Sequence, residues 1–200
     1  MKMKKKIITI SREYGSGGRD IGRLLAARLG IPFYDKNMAA LSAARSGLSS
    51  DFIEQSEERV SGWPDHRAYL SSHDMPLPDR VFFAQSEVIR LLAARGSCVI
   101  VGRCADYVLR DMPECTHLFI HAPLEERVRR IVRRTGCTAS QAERRILAAD
   151  KSRVAYHDRY ARGSWGHASN YHFAIDTSIG TGPAVDIIMH VLAVMEGSAI

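Results

Sequence analysis

The stretch Ile7-Ile-Thr-Ile-Ser-Arg-Glu-Tyr-Gly-Ser-Gly-Gly-Arg-Asp-Ile-Gly22 constrains the fold more than any other part of the chain. Strand-like residues, Ile7–Ile10, run into Gly15, Gly17 and Gly18. Ile21, Leu24, Leu25, Arg28 and Leu29 then mark one face of a helix. A buried strand that turns through glycines into an amphipathic helix is the setting of a phosphate-binding loop. Glycines admit positive φ and a close backbone approach. Backbone N–H groups and the positive helix end then hold an anion. A plain connecting turn is the alternative, but three glycines in four positions argue against it. Arg19 starts the helix, where a cation is locally unfavourable, so it is expected to face a bound anion. The candidate loop residues are Gly15, Ser16, Gly17, Gly18, Arg19, Asp20 and Ile21.

The P-loop pattern G-x-x-x-x-G-K-[ST] is met imperfectly. With Gly18 as the second glycine, the first falls on Glu13, the lysine on Arg19 and the hydroxyl residue on Asp20. Arginine can hold phosphates with a planar fork. The Asp20 carboxylate is a candidate Mg2+ ligand.

Five short apolar runs read as strands: Lys6–Ile10, Pro32–Tyr34, Cys98–Val101, His117–His121 and Tyr171–Ile175. They are continuous, as expected when both sheet faces are covered. Helical segments follow at Arg80–Arg95, Leu124–Arg134 and Ala184–Met195, the last with Pro183 near its start. Ser140-Gln-Ala-Glu143 is expected to be the capping box of a further helix. This alternation predicts an α/β fold, a five-stranded parallel sheet flanked by helices, in a single domain over residues 1–200. Residues 36–79 are too long for one crossover helix. They predict a helical insertion, with pieces at Met38–Arg45 and Ser50–Val60 and a proline-containing loop, Ser61–Asp79.

The chain carries 28 Lys+Arg against 22 Asp+Glu, a formal +6. All of that excess lies in His121–Arg162, with 11 basic and 5 acidic residues, while the other 158 residues are balanced at 17 each. No run approaches the ~20 apolar residues of a membrane span or the ~7–15 of a signal peptide core. Cys98, Cys104, Cys115 and Cys137 form no CxxC or ligand cluster, which suits reduced thiols in a cytoplasmic protein. His117 and His121 share a strand face without a supporting ligand pattern, and structural or surface roles are expected for them.

Further motifs join the glycine turn. Val99-Ile-Val-Gly-Arg103 ends the third strand, Asp150-Lys-Ser-Arg153 lies on a helix of the basic window, and Ala174-Ile-Asp-Thr-Ser178 ends the fifth strand. This succession resembles the nucleoside monophosphate kinases, cytidylate kinases above all. Ile10–Gly22 together with Val101-Gly-Arg-Cys-Ala-Asp-Tyr-Val-Leu109 resembles the bacterial cytidylate kinase-like family over nearly the whole chain.

The resemblance implies ATP as donor, Mg2+, and a small phosphorylated acceptor such as CMP. It makes residues 124–166 an Arg-rich lid arm and 36–79 an acceptor-side insertion. It assigns catalytic roles to Arg19, Arg130 and Arg153, and acceptor contacts to Asp35, Arg103, Asp106 and Asp150. Asp106 either reads an exocyclic amine or caps the next helix. Asp176 is expected to be structural, and Trp165 to anchor a loop rather than stack on a base. Arg127, Arg130 and Arg134 share one helix face at i, i+3 and i+7. The chain departs from the pattern at the P-loop Lys and Ser/Thr, at Val101 where an acidic residue is expected, and at Lys36-Asn-Met after Asp35.

Three functions follow from these features: a small-molecule kinase, a non-catalytic nucleotide sensor on a kinase frame, and a nucleic-acid binder. The last rests on overall charge alone, and neither a nucleic acid nor a membrane is expected as a partner.

Overall fold

The structure is a computed structural model that describes residues 5–35, 76–161, 164–195 and 197. Five strands form one sheet: β1 (Ile7–Arg12), β2 (Phe33–Tyr34), β3 (Cys98–Val101), β4 (Cys115–His121) and β5 (Phe173–Asp176). Their spatial order is β2-β3-β1-β4-β5, and every pairing is parallel. β1 lies at the centre, with Ile7 opposite Cys98 on one side and Cys115 on the other.

The helices are α1 (Gly18–Leu29), α2 (Leu77–Arg95), α3 (Ala105–Val108), α4 (Leu124–Thr135), α5 (Ala139–Tyr160) and α6 (Thr181–Met195). They cover both sheet faces, which is why the strands are apolar without alternation. On one face Ile8, Ile10, Val99 and Leu118 pack with Ile21 and Leu25 of α1 and Val185 and Ile188 of α6. On the other, Ile7, Cys98 and Ile100 pack with Ile89 and Leu92 of α2 and Ala105 and Val108 of α3. A third small core, Ile131, Ala142 and Ile146, joins α4 to α5 and takes Tyr14 of the glycine loop against it. None of the described helices is long and apolar enough to cross a membrane.

Several boundaries differ from expectation. β1 runs on to Arg12, because Ser11 and Arg12 still pair with Phe119 and Ile120 of β4. β5 starts at Phe173, since a 3-10 turn at Ala168–Asn170 comes just before Tyr171. α2 starts at Leu77, with Pro76 as its N-cap and Pro78 in its first turn. Proline suits those positions because first-turn N–H groups need no helical acceptor. The capping box of α5 is Thr138 with Gln141 rather than Ser140 with Glu143. Thr138 Oγ1 accepts from Gln141 N, and Gln141 Oε1 accepts from Thr138 N. Ser140 is already inside the first turn. The expected helical pieces Met38–Arg45 and Ser50–Val60 lie outside the described residues.

Candidate functional site

The glycine loop follows β1. Gly15 and Gly17 take φ of +82° and +85°, the left-handed region that side chains rarely adopt. A Cβ on Gly15 would also stand 3.2 Å from the backbone oxygen of Arg127. Gly17 caps α1 without a side chain, so the first-turn N–H groups of Gly18, Arg19 and Asp20 have no acceptor within the helix.

Ion pairs strap the loop from outside. Arg127 reaches Asp150 Oδ2 at 2.5 Å and Glu13 Oε2 at 3.4 Å. Asp150 Oδ1 accepts from Tyr14 N at 2.7 Å, and Glu13 Oε2 accepts from Ala122 N at 3.1 Å. On the other flank Ser16 O accepts from Arg130 at 2.9 Å and from Thr177 Oγ1 at 2.6 Å. Arg130 also donates to Thr177 O and Oγ1, which ties α4 to the end of β5.

The expected arginine face of α4 is therefore real in direction. Arg127 and Arg130 hold the loop, and the Arg134 guanidinium lies 5.9 Å from the centre of the Tyr14 ring. Glu13, where a P-loop has its first glycine, is one of the struts.

Arg19 meets a carboxylate rather than solvent alone. Its Nε lies 2.5 Å from Oδ2 of the buried Asp35, while 62% of its side chain stays exposed. That carboxylate offsets the unfavourable cation at the N-terminus of α1. Asp20 is 58% exposed and 3.6 Å from Arg23.

A cavity of about 520 Å³ opens at the carboxyl ends of β1 and β3, where open α/β sheets bind ligands. Arg12, Arg103, Arg145 and Arg153 bring four arginines to its lining, and Tyr14 links it to the glycine loop. Gly102, Arg103 and Cys104 take φ of +82°, +57° and +50° in succession. Left-handed backbone costs roughly 1–2 kcal/mol at each non-glycine residue, and such strain concentrates at functional sites. Gly102 has a second reason to be glycine. A Cβ there would stand 2.0 Å from an Arg12 guanidinium nitrogen. The Cys104 thiol beside it is held neutral, its pKa pushed well up by burial and then by Asp106 and Asp158.

α5 forms the opposite wall. Arg145, Ala149, Ser152 and Tyr156 follow one helical stripe, and Ala148 and Ala149 leave room there. Arg153 donates to Arg12 O at 2.8 Å and lies 3.6 Å from Asp150. Burial lowers its pKa, against the opposing pull of Asp150. The far end of α5 is fixed by Arg159, whose guanidinium forks onto the buried Asp79 at 2.9–3.0 Å. Tyr160 donates to Asp79 at 2.8 Å and stacks on Phe82 with centroids 4.1 Å apart. Trp165 stands edge-on to Phe119 at 5.3 Å and also lines the cavity.

Two of the sequence-expected acceptor residues, Arg103 and Asp106, thus line this cavity together with Arg153. Asp150 is engaged with Arg127 and the Tyr14 N–H beside it, and Asp35 with Arg19. Asp106 lies in the first turn of α3 without capping it, because the N-cap is Cys104. Asp176 caps its own turn, accepting from Ser178 N at 2.8 Å. That bond comes first in holding its carboxyl below the usual range.

His117 is buried against Thr9 Oγ1 at 2.7 Å, and burial lowers its pKa. Among the described residues no group of three or more His, Cys, Asp or Glu is placed to hold a metal ion. Sequence reasoning did not single out Arg12, Tyr14, Tyr156 or His157. Arg12 carried a usable signal, a charged residue at the carboxyl end of the first strand.

The sheet order, the glycine loop after the central strand and the cationic cavity define a P-loop kinase fold. The chain belongs to the cytidylate kinase-like family, whose model matches residues 7–179. A crystal structure of an uncharacterized protein from Eubacterium ventriosum ATCC 27560 is similar at 27% identity and TM-score 0.71, over 94% of this chain and 98% of that one. Shikimate kinase from Bacteroides thetaiotaomicron aligns at 13% identity and TM-score 0.57, over 94% of this chain and 98% of that one. A gluconokinase from Sinorhizobium meliloti 1021 aligns at 18% identity and TM-score 0.55, over 96% and 93% respectively. The last two likenesses concern the fold alone. No curated protein matches this sequence.

Proposed function

We propose that this protein is an ATP-dependent phosphotransferase that moves the γ-phosphoryl group onto CMP or a related small phosphorylated acceptor. The carrying observation is the cavity with four arginines that adjoins the glycine loop at the carboxyl end of the sheet. Phosphoryl transfer needs positioning and charge stabilisation more than covalent chemistry. Two phosphate-bearing substrates brought together need several guanidinium groups around them.

In this reading the donor phosphates lie on the Gly15–Ile21 backbone and Arg19. The acceptor phosphate meets Arg103 and Arg153, with Asp106 on the same cavity lining. Asp35 keeps Arg19 oriented. Arg130 and Asp150 act through the loop they hold. Mg2+ would neutralise the donor phosphates. Asp20, a lone exposed carboxylate, suits an ion whose shell is completed by phosphate oxygens and water.

ADP formation by the purified protein, coupled to an optical readout, tests this across the nucleoside monophosphates. Turnover with one or more is expected, and none with any, from a folded sample, refutes it. The second reading is a nucleotide sensor without turnover. It is favoured by the missing P-loop lysine and hydroxyl and by the pairing of Arg19 with Asp35. Tight ATP binding without transfer would select it.

A further inference from the structure

Asp106 and His157 form the least satisfied polar pair among the described residues. Each side chain is only 4% exposed, and His157 Nε2 faces Asp106 Oδ2 at 3.6 Å. The other two atoms, Asp106 Oδ1 and His157 Nδ1, are buried and find no hydrogen-bond partner among the described residues. Buried atoms left without a partner are costly, so a ligand that supplies one is favoured. Both residues line the 520 Å³ cavity, and both also line a second cavity of about 390 Å³ behind it. The pair is thus the partition between two cavities, with one open valence on each residue.

The chemistry of those valences is specific. A carboxylate facing Nε2 favours the imidazole tautomer that carries its hydrogen there, which leaves a lone pair on Nδ1. Asp106 Oδ1 is likewise an acceptor. Both atoms are acceptors, so the pair calls for hydrogens from a ligand and offers nothing to a carbonyl.

We propose that His157 is a positioning and specificity-determining residue. It orients Asp106 so that the acceptor cavity takes an anion bearing a two-donor group, an amino group or a vicinal diol. This rests on the reading of the larger cavity as the acceptor site. The arginine wall takes the anion, and the Asp106–His157 pair takes the donor group.

Isothermal titration of the full chain at pH 8 tests it with two matched pairs. CMP and UMP share phosphate and ribose and differ by an amino group against a carbonyl. Gluconate and hexanoate share a carboxylate and chain length and differ by the hydroxyl groups. In one pair the two-donor member should bind roughly tenfold tighter or more, and which pair shows it distinguishes amine from diol. In that pair His157→Leu should collapse the ratio toward one. His157→Gln, whose amide offers a donor and an acceptor, should restore it.

Equal binding within both pairs overturns this inference and leaves the acceptor-cavity reading standing. So does an unchanged ratio in a folded His157→Leu variant. Binding by none of the four ligands overturns this inference, and turnover of another nucleoside monophosphate then decides the acceptor-cavity reading by itself. Where His157→Leu does not fold, Asp106→Asn decides: its amide presents a donor, and a ratio unchanged from the wild type refutes the proposal.

Discussion

Replacing Asp150 by alanine should loosen the glycine loop far more than one surface charge would. The carboxylate has three partners, the most distant of them Arg153 at 3.6 Å. It pairs with Arg127 at 2.5 Å and accepts the Tyr14 N–H at 2.7 Å. Breaking a buried ion pair from one side costs ~3–5 kcal/mol. Arg127 and Asp150 keep 10% and 17% of their side-chain surface, and Glu13 remains 3.4 Å from Arg127. Water and Glu13 therefore compensate part of the loss, which brings the ion-pair share to roughly 2 kcal/mol. The Tyr14 N–H left without its acceptor adds about 1 kcal/mol.

A total near 3 kcal/mol lowers the melting temperature of a chain this size by roughly 6–12 °C. Urea titration and thermal melting measure this directly. Asp150→Asn keeps an oxygen for Tyr14 N and should lose only the ion-pair share. Arg127→Ala with Asp150→Ala should cost less than the two changes added, because the second removes an already broken pair. A melting temperature for Asp150→Ala within 2 °C of the wild type, or strict additivity in the double variant, would refute the strap.

Gly102→Ala places a methyl group 2.0 Å from Arg12 at a left-handed φ. It should displace Arg12 and weaken phosphate-bearing acceptors at least tenfold by calorimetry, with ATP affinity nearly unchanged. Asp20→Ala should weaken the Mg2+ dependence of ATP-induced thermal stabilisation, and an unchanged dependence would remove Asp20 as a ligand. Burial pushes the thiols of Cys98 and Cys115 up to about 11 and about 12 from 9.0. Raised folded pKa values give stability that is complete below pH 9 and lost as pH rises through 11 and 12. Urea midpoints should fall across that window, and Cys98→Ala should flatten the fall. His117 runs the other way. Burial lowers its pKa from 6.5, so its contribution is present above pH 6.5 and fades as pH falls below it; His117→Gln should remove that acid-side slope.

The sheet was readable because its evidence is local. Each strand is a short continuous apolar run, and each glycine-rich or capped turn beside it is written in a few adjacent residues. Strand ends were read less well, since Ser11 and Arg12 extend β1 only through pairing with β4. The loop was legible as an anion cradle, but not its struts. Glu13 reads as a damaged P-loop glycine until Ala122 N and Arg127 are seen to hold it. His157 was invisible for the same reason. It is one polar residue on a polar helix, 51 positions from Asp106, and only the fold brings the two within 3.6 Å.

The basic window also has a different meaning in three dimensions. Its charge excess belongs to one run of sequence, yet the arm spends much of that charge internally. Arg127 is matched by Asp150 and Glu13, Arg159 by Asp79, and Arg130 by carbonyl and hydroxyl oxygens. Arg145 and Arg153 reach the cavity from the window, and they meet Arg12 and Arg103 from strand ends that lie outside it. The cationic site is therefore assembled from two regions, one of which is charge-balanced in sequence. A charge count along the chain finds the struts more readily than the site, because the struts lie together on α4 and α5 while the site also draws residues from two strand ends. On this basis Arg12→Ala, though outside the basic window, should weaken acceptor binding as much as Arg153→Ala. Arg129→Ala, within the window but paired on the surface with Glu126, should leave it unchanged. Calorimetry on the three variants separates a site built by topology from one built by local charge.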